Sequence, residues 1–278
     1  MTLLSRYNLP ITHSDGEVRL LQITDTHLFA DPAGRLLGVT TAQSFTAVVE
    51  AIGERANQMD AILATGDISQ DHSAASYQRF AQGIAHWQSP CFWLPGNHDD
   101  QPNMHSQLNQ HNIQPAQHVL LGEHWQMILL DSQVPGVPHG ELSDAQLQHL
   151  EQCLTAHPER FALILLHHHP LPAGSHWLDQ HQLKNQQALW QVLANYPQAK
   201  TIICGHIHQD LDCCYQGVRI MSAPSTCIQF LPDSYDFALD TTNPGWRELT
   251  LHANGHVSTQ VHRIEGNRFL PQLDAGGY

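Results

Sequence analysis

Short, nearly unbroken apolar runs alternate with amphipathic stretches along this chain, and each of five runs ends in a compact polar cluster. This pattern limits the fold more than any other feature. Val18–Thr24, Ala61–Thr65, Cys91–Leu94, Trp125–Leu130, Phe161–Leu166, Thr201–Cys204 and Val218–Met221 read as strands. They are too short for buried helices and rich in branched or aromatic residues. Between them, Thr40–Asn57 places Phe45, Val48, Val49, Ile52 and Ala56 on one helical face. Tyr77, Phe80, Ile84 and Trp87 mark a second helix, and Leu189, Val192, Leu193 and Tyr196 a fourth. The third opens at Ser143-Asp-Ala-Gln146, a capping box ahead of Leu147, Leu150 and Leu154. Near the end, Trp246–His252 and His256–His262 flank Asn254-Gly255, a hairpin turn. The expectation is an α/β (α+β) fold with a mixed sheet, its strands covered on both faces by helices. Nothing divides 1–278, so one domain is expected, with a loop-rich part at about 210–245 and Ile228–Gly245 as a long loop.

The clusters are Asp25-Thr-His27, Gly66-Asp67, Gly96-Asn97-His98-Asp99, His167-His168-His169-Pro170 and Gly205-His206-Ile-His208. Most have a plain structural explanation when taken singly, although two imidazoles facing one way at His206 and His208 are hard to justify without a ligand. Asp25 could cap a helix, Gly66-Asp67 and Pro95-Gly96-Asn97 are turn sequences, and a histidine tract can be a solvated surface. Together they weigh differently. In open α/β sheets, ligands bind beyond the carboxyl ends of strands, so five distant segments deliver polar groups to one edge. Imidazole and carboxylate suit Zn, Fe or Mn, and an Asn oxygen adds a harder neutral donor. Seven such groups exceed the needs of one tetrahedral zinc and suit two ions with open positions. Glycines 66, 96 and 205 let backbone approach closely beside them.

In this order the clusters resemble the metallophosphoesterase (calcineurin-like) superfamily, over residues 25–208. Asp25-Thr-His-Leu, Pro-Gly-Asn-His-Asp-Asp100 and His167-His-His-Pro-Leu-Pro172 are further similar to the bacterial class III cyclic nucleotide phosphodiesterases. Bacterial glycerophosphodiesterases share much of the pattern. The resemblance implies a four-layer sandwich of two mixed sheets flanked by helices. It implies two divalent ions, Fe or Mn first and Zn as an alternative. Asp25, His27, Asp67 and His208 would hold one ion, and Asp67, Asn97, His167 and His206 the other, with Asp67 bridging. The usual motif is His-His-Pro-Pro, whereas this chain has a third histidine at 169. Counting back from Pro170 makes His167 the ligand, with His168 the alternative. His98 would be the catalytic or substrate-positioning histidine and Asp99 its partner, with His27, Asp67, Asn97, His98 and His208 contacting substrate. The implied reaction is hydrolysis of 3′,5′-cyclic AMP to 5′-AMP by water activated between the ions. The alternatives are another diester, such as a glycerophosphodiester, or an inactive binding scaffold of the same fold.

Composition narrows the partners. A formal net charge of −14 without a basic run argues against polymeric DNA or RNA; a small cyclic nucleotide is the partner that the resemblance implies. Six cysteines lack framework spacing, Met1–Ile11 lacks a signal-peptide apolar core, and no apolar run is long enough for a membrane span. A cytoplasmic protein is expected.

Overall fold

In the computed structural model, which describes residues 6–277 apart from 12, 14 and 111, the apolar runs form two sheets packed face to face. Of Met1–Ile11, which lacks a signal-peptide apolar core, residues 1–5 lie outside the described residues. The first sheet has six strands in the order Val257–Arg263, Gly245–Leu251, Val18–Ile23, Ala61–Ala64, Cys91–Trp93 and Ile113–Pro115. The last four run parallel, and the hairpin 245–263 joins antiparallel at Val18–Ile23. The second sheet has seven, in the order Arg6–Leu9, His118–Leu121, Trp125–Leu129, Phe161–Leu165, Ala199–Cys204, Val218–Ser222 and Asp212–Tyr215. Its centre is parallel, with antiparallel pairs toward each side.

The period of two along a strand explains the unbroken apolar runs. Leu20, Leu63, Phe92, Leu163, Leu165 and Ile203 point between the sheets. Their neighbours Leu21, Ile23 and Ile62 point outward to Phe45, Val48, Tyr77 and Phe80 of the helices Thr41–Ile52 and Ala74–Ile84. On the far side, Ala162, Ile164 and Ile202 meet Leu150 and Leu154 of helix Asp144–Ala156 and Leu189 and Leu193 of helix Gln186–Leu193. The strands are therefore buried twice, as expected, but one cover is the other sheet, where helices on both faces were anticipated. Four layers result, helix–sheet–sheet–helix, the architecture implied by the resemblance.

Local signals account for most boundaries. Ser73 and Ser143 accept from the backbone N–H of Ser76 and Gln146 and so cap their helices. The reciprocal half of the capping box at 143–146 is absent, because the Gln146 amide oxygen accepts from Asp131 N–H instead. The first helix ends at Ile52, and a 3₁₀ stretch from Gly53 to Gln58 takes up the remainder of the expected span. The turn at Asn254-Gly255 forms as read, with Gly255 at φ +86°. The stretch 228–245, expected as loop, carries the two-stranded hairpin Gln229–Phe230 with Leu239–Asp240.

Candidate metal centre

All five clusters leave the carboxyl ends of their strands on the same edge of the sandwich. Three come from the first sheet and two from the second, and hydrogen bonds across the sheets fix their relative position. Asp25 N–H donates to Gly66 O (3.0 Å) and His27 N–H to Asp67 O (2.9 Å). His206 N–H donates to the Asp25 carboxylate at 3.1 Å, and the Gln22 amide donates to both Thr65 Oγ1 and Cys204 O. The expected glycines are needed for this approach. A Cβ on Gly66 would lie 2.5 Å from His167 Nδ1, and one on Gly96 or Gly205 would fall on the Asp67 carboxylate or on Thr24 Oγ1.

The backbone is strained where the donors emerge. Asp25 (φ 53°), His27 (45°), Asp67 (50°), His206 (69°) and His208 (49°) all take the left-handed conformation that non-glycine residues avoid. Each costs about 1–3 kcal/mol and persists only where its surroundings over-determine it. Five in one small volume mark a site at which side-chain direction outranks backbone comfort.

Tautomers turn this geometry into a donor set. His27 Nδ1 donates to Gln70 Oε1 (2.6 Å) and His208 Nδ1 to Ile228 O (2.9 Å). Both Nε2 atoms are left as lone-pair donors, and they face each other at 3.2 Å. Two lone pairs at that distance repel unless a cation lies between them. Asp25 completes this group, one donor atom of each residue lying within 4.8 Å of the others. His167 Nδ1 donates to Thr65 O (2.8 Å), which aims Nε2 at Asp67 Oδ2, 3.2 Å away. The same Oδ2 lies 3.9 Å from His27 Nε2, so one carboxylate oxygen stands between the two groups. Asp67 Oδ1 accepts from His98 N–H at 2.8 Å.

Asn97 Oδ1, His206 Nε2 and His168 Nε2 are buried with no hydrogen-bond partner among the described residues, and His167 Nε2 has the Asp67 carboxylate beside it without a well-aligned hydrogen bond. Orphaned buried polar atoms are costly, and several gathered in one site call for an ion. His167, His168 and His206 form one tight histidine group. His168 is pinned by a hydrogen bond between Nδ1 and Ser132 Oγ (2.8 Å) and packs against Gly140, whereas His169 turns toward Asp179, 3.5 Å away. Asn97 and His98 alone of the anticipated residues are half-exposed, at the mouth of the site.

The electrostatics also call for cations. Burial would raise the Asp67 carboxyl, but His167, His98 and His27 outweigh it and hold it well below the usual range. Burial likewise opposes the Asp25 carboxylate, and His208 overcomes that penalty. Against burial, the Asp67 charge pushes His167 up to about 9, so a bound cation takes the place of that proton. Burial pushes His27 down to about 3, and His206 and His168 well below their ordinary value, leaving neutral imidazoles suited to ligation.

Asp99 is buried and its carboxylate accepts from the N–H groups of Ile68, Ser69 and Gly96 and from Tyr77 Oη. It is therefore not the partner of the His98 imidazole that was expected, and ties the loop carrying Asp67 to the loop carrying Asn97 and His98. Burial and the nearby Asp67 charge push it up to about 7. Sequence reasoning did not find Gln70, Ser132, Thr24 or Ser225, which orient His27, His168 and Asp25. They are ordinary polar residues with no spacing signal.

Comparison with known proteins agrees with this geometry. A model of the calcineurin-like phosphoesterase family matches residues 18–210. The chain is 60% identical to the 3′,5′-cyclic adenosine monophosphate phosphodiesterase CpdA of Vibrio vulnificus (strain CMCP6), covering 96% of this chain and 97% of that one. It is 55% identical to CpdA of Escherichia coli (strain K12), over 99% of each chain. Among solved structures, a dimetal phosphatase from Danio rerio superposes with a TM-score of 0.63 at 16% identity, covering 89% of this chain and 99% of that one, a likeness of fold.

Proposed function

The chain belongs to the calcineurin-like phosphoesterase family, and from that premise we propose a two-metal phosphodiesterase that opens 3′,5′-cyclic AMP to 5′-AMP. The observation that carries the reading is Asp67 Oδ2, an oxygen shared between two groups of buried, tautomer-fixed donors. The near full-length relatives named for cyclic AMP supply the substrate.

The residues present fit two divalent ions. Asp25, His27, Asp67 and His208 would hold one, and Asp67, Asn97, His167 and His206 the other. The mixed nitrogen and oxygen set suits Fe or Mn, with Zn as an alternative. Bound there, two such ions supply a nucleophile from water at neutral pH and offset charge on the phosphoryl oxygens. The protein's own groups do the remainder. Asn97 and His98 stand at the mouth and orient the phosphate, along with His27, Asp67 and His208 around it. His98 hands a proton to the 3′-alkoxide as it leaves. Asp99 acts through the loops it ties together, holding Asp67, Asn97 and His98 in register. We read residues 1–278 as one catalytic unit working on a small nucleotide, with no polymeric nucleic acid and no membrane as partner. Its six cysteines, free in the structure, fit a reducing cytoplasm, and among the described residues no helix is long and apolar enough to cross a membrane.

The test is metal analysis of freshly purified protein combined with turnover of cyclic AMP, cyclic GMP, a glycerophosphodiester and a phosphomonoester. Two ions per chain and fastest turnover of cyclic AMP are expected, abolished by chelation and restored by Mn²⁺ or Fe²⁺. Full activity in metal-stripped protein, or a faster glycerophosphodiester, overturns the reading.

A further inference from the structure

The cavity at the site has two unlike walls. Asn97, His98 and His206 form the first, and Trp177, Phe230 and Phe237 the second, around a volume of about 210 Å³. Donors aimed at a phosphate account for the first wall and not for the second. The three aromatic rings meet edge to face, with centroids 4.9 Å apart for Trp177 with Phe230 and with Phe237, and 5.8 Å for Phe230 with Phe237. Mutual packing of this kind fixes the rings and makes a rigid apolar surface.

Two short elements carry that surface, and they are fastened to each other. Trp177 lies on helix His176–Asp179, while Phe230 and Phe237 belong to the hairpin Gln229–Asp240. His176 and Trp177 N–H groups donate to Ser234 O and Tyr235 O, the Trp177 indole donates to Ser234 Oγ (3.3 Å), and Tyr235 stacks on His176 at 4.4 Å. Phe230 also lies flat on the His208 imidazole, with centroids 4.2 Å apart and planes 16° from parallel. The aromatic wall is thus in register with the donor set. His181 closes one end, its ring edge-on to Trp177 at 6.1 Å, and its ring nitrogens have no hydrogen-bond partner among the described residues. A neutral imidazole offers one donor and one acceptor, the complement of a purine edge.

We infer that Trp177, Phe230 and Phe237, with His181 at the end, form the nucleobase pocket of this site: a planar heteroaromatic base stacks on the aromatic wall while its phosphate lies by Asn97, His98 and His206. The inference rests on the phosphoesterase reading of the first wall and adds the basis of substrate choice. Every base presents a π-face, so stacking holds a base where an aliphatic alcohol gains little.

The experiment compares 5′-AMP with ribose 5-phosphate by calorimetry on Mn²⁺-loaded protein, since the two share a phosphate and differ by the base. The wild type is expected to bind AMP at least about tenfold more tightly. Trp177→Leu and Phe237→Leu should bring that ratio close to one, leaving ribose 5-phosphate affinity and metal content unchanged. Trp177→Phe keeps a ring without the indole N–H, and Ser234→Ala removes the indole's acceptor, so both should retain the preference. Equal affinity of the wild type for the two ligands, no measurable AMP binding, or parallel loss of both in the leucine variants overturns the pocket. Cyclic AMP turnover measured alongside separates this from the proposed function. Preference for AMP without cyclic AMP hydrolysis refutes the reaction and keeps the pocket. Hydrolysis with a ratio of one does the reverse.

Discussion

His98 sits where ligation and proton transfer can be told apart. Its backbone N–H is held by Asp67, while its side chain is half-exposed beside Asn97 at the mouth of the cavity. His98→Ala should therefore keep both ions and lower kcat by about 10²–10⁴-fold on cyclic AMP. The leaving group makes the test sharper. A 3′-ribose alkoxide needs a proton and a p-nitrophenolate does not, so the loss on bis(p-nitrophenyl) phosphate should be much smaller. Equal losses would mean that His98 positions the phosphate and donates nothing. Asp67→Ala should behave oppositely and lose more metal than a change at any other donor, because its Oδ2 is shared by both groups. Two ions per chain in that variant would contradict the bridging role. Within the histidine tract, His167→Ala should cost metal and His169→Ala little, as His167 Nε2 faces Asp67 and His169 faces Asp179. The donors were legible in the sequence because carboxylate, imidazole and amide side chains directly follow apolar strands. What aims them was not: the Thr65 and Ile228 carbonyls that fix two tautomers are backbone atoms, which any residue supplies.

Among the elements, most interior strands were readable, and of the edges of the two large sheets Val257–Arg263 was read, through the turn at Asn254-Gly255. Leu163 and Ile164 face different cores, so the Phe161–Leu165 run is apolar throughout. Such a run reports two covered faces without saying whether a helix or a sheet covers them, which is why the second sheet was not read from periodicity. The edge strands Ile113–Pro115 and Asp212–Tyr215 have one neighbour and partly exposed faces, and leave no alternation to find. The strand His118–Leu121 carries a further consequence. His118 is buried, Nε2 donates to Gln126 Oε1 (3.0 Å), and burial pushes it down to about 4. Its folded value lies below its unfolded one, so the unfolded chain takes up a proton first as pH falls below about 6.5. The sign is destabilising: between pH 6.5 and 5 this residue alone should remove about 1–2 kcal/mol of stability. Urea unfolding of metal-free protein at pH 7 and pH 5 measures the loss, and His118→Gln should reduce it. An unchanged pH dependence in the variant would assign the acid sensitivity elsewhere.

For the molecule as a whole, the centre is a place where stability is given up and recovered on ion binding. Left-handed backbone at five donors and orphaned buried nitrogens both weaken the metal-free fold. Ions that bind the native state and not the unfolded chain restore about 4 kcal/mol at a thousand times their dissociation constant. For a chain of 278 residues that is a rise in Tm of about 7 °C. Melting curves with chelator and with added Mn²⁺ should separate by that amount, and coincident curves would mean that the strain is repaid elsewhere. The hairpin Gln229–Asp240 and the short helix fastened to it stand apart from this economy. They hold none of the candidate donors, and the face of Phe230 lies on His208. How the bond is cut and which molecule is admitted thus reside in different stretches of chain. A library at 177, 181 and 229–240 would therefore vary the substrate admitted while leaving every strand-end donor in place.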